Sequence, residues 1–308
     1  MKKKNYFNPF DLRFIFFLLI IFIFTAHTAS LHEVKWQKAV FQEITIFYSS
    51  TDNATVDELQ PILAEIYPYL KNEFLISDDF RLTIKIAPSS TSFHEYLGSG
   101  IPEWSEAVYI SSQKSIILQS PTSMQLQRSF RATIIHEFVH AVLDHRVNYQ
   151  PIPRWLNEGL AVLISGERDL ASNSLITRAA STHSLIPLNE IDNVLNFQKD
   201  RARLAYQQSY LATQYLISNN GFSAVNSILD NLKQGLSQNQ AFINSISINF
   251  HQFEREWREH IHHEKRWDLL FDLHSLLWPL MGILFLLVAA FVFYRNRKRL
   301  KEWEEDEF

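Results

Sequence analysis

The 308-residue chain contains no cysteine. A disulfide framework is therefore excluded, and any metal it binds must be held by nitrogen and oxygen rather than thiolate. Excess charge is also missing: 29 Lys and Arg against 33 Asp and Glu leave a formal charge of −4. No basic patch with interleaved aromatics accompanies it, so nothing points to a nucleic-acid partner. Internal repeats and low-complexity linkers are absent too. The charges that do cluster lie at the two ends.

Those ends read as membrane signals. Met1 to Arg13 carries Lys2, Lys3, Lys4 and Arg13, and an unbroken apolar run follows from Phe14 to Phe24. A span needs about 20 residues, so this run suits the apolar region of a signal peptide. Small residues in Thr25 to Ser30 permit cleavage near Ala29, whereas His27 disfavours it and leaves an uncleaved signal anchor as the alternative. The second run, Leu276 to Tyr294, is charge-free and long enough to cross a bilayer, with Trp278 and Tyr294 near its ends. Arg295, Arg297, Lys298, Arg299 and Lys301 follow at once, which puts this end in the cytoplasm by the positive-inside rule. The acidic residues Glu302 to Glu307 read as a solvated end. The expected organisation is a signal peptide or anchor at 1–29, an extracytoplasmic domain at 30–268, a transmembrane helix at 275–294 and a cytoplasmic tail at 295–308.

The chemistry concentrates in Thr133-Ile134-Ile135-His136-Glu137-Phe138-Val139-His140. On a helix, positions i and i+4 share a face one turn apart, so His136 and His140 can hold one ion while Glu137 handles the proton of a water beside it. The pattern alone is only moderately specific. Its flanks sharpen it: Ile134, Ile135, Phe138, Val139, Ala141, Val142 and Leu143 make the segment apolar nearly all round, as in a buried helix. Two histidines and a carboxylate are costly there unless paired or metal-bound. Zinc suits the imidazole pair, and a catalytic zinc takes three protein ligands.

A metzincin would need Gly and His three and six residues after the second His, where this chain has Leu143 and Arg146. Asp144 and His145 continue the helix, and His145 points to another face. The better third ligand is Glu158, in Pro153-Arg154-Trp155-Leu156-Asn157-Glu158-Gly159-Leu160-Ala161-Val162. Pro153 suits a helix start, and Glu158 is then a carboxylate embedded in an apolar helix. Gly159 beside it costs helix stability but permits a close backbone approach. Two His and one Glu form the zinc set of the thermolysin class.

Together, His136-Glu137-x-x-His140 and Trp155-Leu156-Asn157-Glu158-Gly159-Leu160-Ala161 resemble the gluzincin metallopeptidases, above all the peptidase MA-like group of bacterial extracytoplasmic proteins. The resemblance implies zinc bound by His136, His140 and Glu158, with Glu137 as general base. It also places a helical Tyr facing the developing oxyanion, a position matched by Tyr206, with Tyr210 one turn later in reserve. One departure stands out. Thermolysin-like enzymes orient a zinc-bound His with an Asp four residues after the third ligand, where this chain has Val162. That support must come from elsewhere.

Around the motifs, Ile44 to Tyr48 and Leu82 to Ile86 read as strands, with an amphipathic helix over Val56 to Phe74 between them. Ala107 to Ile110 and Ser115 to Leu118 read as a hairpin about Ser111 to Lys114, and the segment near Ile116 to Leu118 is expected to edge the cleft and pair with an extended substrate. Helices are expected over Arg201 to Ile217, Phe222 to Leu232, Gln238 to Ile246 and Phe250 to His262. His260, His262 and His263 form a solvated, charge-rich helix end rather than a metal cluster. The fold class is α+β: a gluzincin, thermolysin-like zincin with a small N-terminal mixed sheet lobe, a helical C-terminal lobe and a C-terminal transmembrane helix.

The expected function is a zinc metallopeptidase anchored in a bacterial cytoplasmic membrane, acting on a peptide or protein outside it. An intramembrane protease is disfavoured because the zinc helix has polar flanks (Arg128, Arg131, Asp144, Arg146) and is too short to span. A catalytically silent binding or assembly protein is the main rival, and a metal-dependent hydrolase of a non-peptide bond the second.

Overall fold

The computed structural model describes residues 35–98, 105–121, 129–167, 173–265 and 274–306. The expected signal segment at 1–29 lies outside them. The chain enters through a hairpin, β1 (Trp36–Phe41) and β2 (Ile44–Ser49), turned at Gln42, whose φ is 48°. Helix α1 (Asn53–Glu73) then crosses to β3 (Leu82–Ala87), which lies parallel to β2 and completes the expected βαβ unit. Val56, Leu59, Ile62, Leu63, Ile66, Tyr67 and Leu70 recur every three to four residues along α1 and bury one face. Pro61 and Pro68 sit on its exposed face, where carbonyls deprived of their helical partner can turn to water.

After α2 (Ser90–Leu97), capped by the Ser89 hydroxyl, β4 (Ala107–Ile110) and β5 (Ser115–Gln119) form the expected hairpin, with Lys114 left-handed at φ 49°. The sheet order is β1-β2-β3-β5-β4, with β5 parallel to β3. This corrects one expectation. Ile116 to Leu118 belong to β5, which is hydrogen-bonded on both sides and has no free edge. At this end of the sheet the edge strand is β4, as β1 is at the other.

Helix α3 (Phe130–Arg146) starts at Ser129, whose hydroxyl accepts from the Ala132 N–H, and is buried on most sides. Its Phe138 packs on Tyr67 and Phe80, ring centroids 5.7 and 6.0 Å away, which fixes the helix between α1 and the sheet. Asn148 and Tyr149, both left-handed, turn the chain into α4 (Arg154–Ser165). The helical lobe follows: α5 (Asn173–Ser181), a 3-10 turn over Leu188–Asn196, α6 (Lys199–Lys233), α7 (Gln238–Ile246) and α8 (Phe250–Lys265). The two helices expected over Arg201 to Leu232 are both present, joined end to end in α6 by a break at Gly221, whose non-helical φ of 76° and ψ of 166° suit glycine. Trp155 of α4 is fully buried, stacked on Phe253 at 5.7 Å and close to Phe242 and Phe250. One hydrophobic core thus runs from the sheet through α3 and α4 into the helical lobe. Helix α9 (His274–Asp306) contains Leu277–Arg297, long and apolar enough to cross a membrane and buried nowhere against the rest of the protein.

Candidate metal centre

Helix periodicity does what the sequence asked of it. His136 and His140 lie one turn apart on α3, ring centroids 4.8 Å from each other. Glu158 approaches from α4 and turns one carboxylate oxygen to both: Oε2 lies 3.4 Å from His136 Nε2 and 3.6 Å from His140 Nε2. All three ligand atoms fall within 4.8 Å of one another, and they form the one such group among the described residues. Tetrahedral ligands about 2.1 Å from a common ion stand about 3.4 Å apart. The donor set and its spacing therefore fit a divalent metal that favours nitrogen and oxygen.

Each ligand is also gripped from outside. The His140 Nδ1 meets Asn157 Oδ1 at 2.8 Å, and Arg154 Nε donates to Glu158 Oε1 at 3.1 Å. His136 Nδ1 faces Glu167 Oε1 at 3.3 Å, a longer and less aligned contact. These partners leave both Nε2 atoms and one carboxylate oxygen pointing inward. Glu137 stands beside them, half-buried, with its Oε2 accepting from the Tyr109 main-chain N–H of β4 at 2.7 Å.

The electrostatics follow from burying opposite charges together. Burial by itself would lower both histidines, but Glu158 and Glu167 around His136 reverse this and raise it to about 10. His140 is also raised, burial again being overcome by the charge of Glu158 and its hydrogen bond. Burial would push Glu158 up, yet the two histidines hold it well below the usual carboxylate range. Burial does raise Glu137, against the opposing pull of His136, His140 and the Tyr109 N–H. A half-buried carboxylate shifted upward beside a His-His-Glu cluster marks a candidate functional site.

Gly159 explains how Glu158 reaches its place. A Cβ there would lie 2.1 Å from Thr213 Oγ1 and 2.3 Å from Ser209 O, so α4 and α6 touch backbone to backbone at this point. Tyr206 sits on α6, partly buried against the core. It lies about 40° around the helix from the Ser209–Thr213 contact line, and Tyr210 about 80°.

Other described histidines lie apart from this cluster. His145 contacts Ser77 Oγ at 3.1 Å and Asp79 at 3.4 Å, away from the cluster. His262 bonds the Ala180 carbonyl and stacks on His183, and His260 faces Glu264. Asn157, Glu167, Arg154 and Tyr109 were not anticipated. Asn157 and Arg154 at least lie inside the motif, whereas Tyr109 contributes a main-chain group that no side-chain pattern announces.

Residues 90–263 match the family described as the Peptidase MA superfamily, a segment that contains the whole cluster and Glu137. Comparison with curated proteins finds no match.

Proposed function

Because the chain belongs to the Peptidase MA superfamily, we propose that it is a membrane-anchored zinc metallopeptidase of the gluzincin kind. The observation that carries this reading is one oxygen of Glu158 facing the inner nitrogens of both His136 and His140, with Glu137 alongside. His136, His140 and Glu158 would hold the ion. When bound, zinc supplies Lewis acidity, which acidifies water and polarises a carbonyl.

The protein's own groups do the rest. Glu137 takes a proton from the attacking water and delivers it to the leaving amine nitrogen. Its raised pKa makes it the stronger base for the first of these transfers. The Tyr109 N–H keeps the carboxylate aimed while it is empty of a proton. Tyr206 supplies a hydroxyl to the developing oxyanion. An extended peptide lies along the free side of β4, whose outward main-chain groups border Glu137.

Leu277–Arg297 forms the membrane anchor, with the basic run from Arg295 in the cytoplasm and the peptidase domain on the other side, as in a bacterial envelope protein. An intact base argues for turnover over a silent binding role, since a scaffold has no use for Glu137. The test is metal content and cleavage of a peptide library by the full chain in detergent, wild type against Glu137→Gln. Both should carry one zinc, and only the wild type should cleave. Equal cleavage by both, or none by a zinc-loaded wild type, would remove the assignment.

A further inference from the structure

We propose that Glu167 is the positioning residue of the first histidine ligand, accepting from His136 Nδ1–H and so presenting Nε2 to the metal. This rests on the metal centre proposed above. The position where thermolysin-like enzymes carry an orienting Asp is Val162, a buried hydrocarbon that can accept nothing. His136 still needs its outer nitrogen engaged, because an imidazole free to rotate or change tautomer makes a poor ligand.

The fold delivers a carboxylate by another route. Helix α4 stops at Ser165, and Gly166 takes the left-handed conformation at φ 70° and ψ 26°, its N–H closing on the Val162 carbonyl at 3.2 Å. That C-terminal glycine turns the chain back toward α3. The next residue, Glu167, is only 8% exposed and brings Oε1 to 3.3 Å from His136 Nδ1. A carboxylate withdrawn this far from water is expensive unless it meets a donor or a cation. The imidazole N–H provides one, and the metal's positive charge lies behind it.

The two ligand histidines are then held unequally. His140 has a neutral amide behind it, Asn157 at 2.8 Å, whereas His136 has a carboxylate. A carboxylate acceptor makes the imidazole the stronger donor to a metal.

The test compares wild type, Glu167→Ala, Glu167→Gln and Glu167→Asp as full chains in detergent. Zinc affinity is read by chelator competition, and the visible absorption of the cobalt-substituted proteins at saturating cobalt. Glu167→Ala should weaken zinc binding by about 10- to 100-fold and shift the cobalt bands. Glu167→Gln, which mimics the amide behind His140, should lose less, and Glu167→Asp should recover part of the loss. If Glu167→Ala fails to fold, Glu167→Gln against wild type decides. Unchanged affinity and unchanged cobalt bands in Glu167→Gln and Glu167→Ala would overturn the proposal, as would weaker binding with identical bands, which marks a merely structural role. A wild type that binds zinc but cleaves no peptide would sink the peptidase reading and leave this one standing. A wild type that binds no metal would overturn both.

Discussion

The main-chain N–H of Tyr109 donates to Glu137 Oε2 at 2.7 Å, joining the edge strand of the sheet to the acid beside the two histidines. On the other side of the strand, the Glu106 carbonyl accepts from Gln119 N–H at 2.9 Å, so β4 spends alternate groups on β5 and on the cleft. Proline is tolerated on an edge strand where the lost N–H faces away from the neighbouring strand. Tyr109→Pro should therefore keep the hairpin while removing the donor, and Tyr109→Ala should keep the donor while removing the ring. The N–H opposes the upward push that burial exerts on Glu137. Its loss should raise the pKa of the base, moving the acidic limb of the kcat/KM profile to higher pH in Tyr109→Pro but not in Tyr109→Ala. Coincident acidic limbs in the two variants would show that the bond has no part in setting the base.

Gly159 gives a sharper structural prediction. An added Cβ meets Ser209 O at 2.3 Å, and that atom is backbone, which a rotamer change cannot move. Gly159→Ala should cost about 3 kcal/mol by overpacking the α4–α6 contact, and push Glu158 away from the histidines. Thermal unfolding and zinc affinity both report this. The double variant with Thr213→Ala should recover little, because only the hydroxyl at 2.1 Å is relieved. Full recovery would mean that the backbones have room after all.

How much of this was legible beforehand depends on the range of each signal. Helix periodicity was enough to put His136 and His140 on one face, and Glu158 was legible as a carboxylate set in an apolar helix within a segment that resembles the gluzincins. The Ala107 to Ile110 hairpin was legible for the same local reason. Strand order was not. Which of β4 and β5 lies at the edge is set by the parallel pairing of β5 with β3, a contact across 32 residues that leaves no local trace. The strand β1 and the helices α2 and α5 were missed, being short and weakly patterned. Glu167 was missed because its role depends on Gly166 reversing the chain, whereas Gly159 announced its close approach by sitting in an otherwise apolar helix.

Metal loading should be strongly pH-dependent. In the metal-free protein His136 is raised to about 10, so it holds a proton near neutral pH that a metal must displace, and His140 is raised in the same direction by Glu158. Zinc binding should then release between about one and two protons at pH 7, and its apparent affinity should climb with pH at about 10- to 100-fold per unit. The sign is fixed: a group protonated when free and neutral when liganded favours the metal as pH rises. Calorimetric titration in buffers of different ionisation enthalpy counts the protons. A buffer-independent heat would show that the histidines are already neutral.

The tyrosines of α6 separate by geometry, and the prediction follows from it. Tyr206 lies nearer than Tyr210 to the line where Ser209 and Thr213 meet Gly159, the neighbour of a metal ligand. If Tyr206 faces the developing oxyanion, its hydroxyl matters in the transition state and little in the ground state. Tyr206→Phe should lower kcat by about 10²-fold with KM and zinc affinity close to wild type. Tyr210→Phe should leave kcat within about twofold, a difference of under 1 kcal/mol. The reverse pattern would move the oxyanion role one turn along the helix. Equal, small effects in both would assign these rings to packing and leave the stabilising donor to be sought on another element of the cleft.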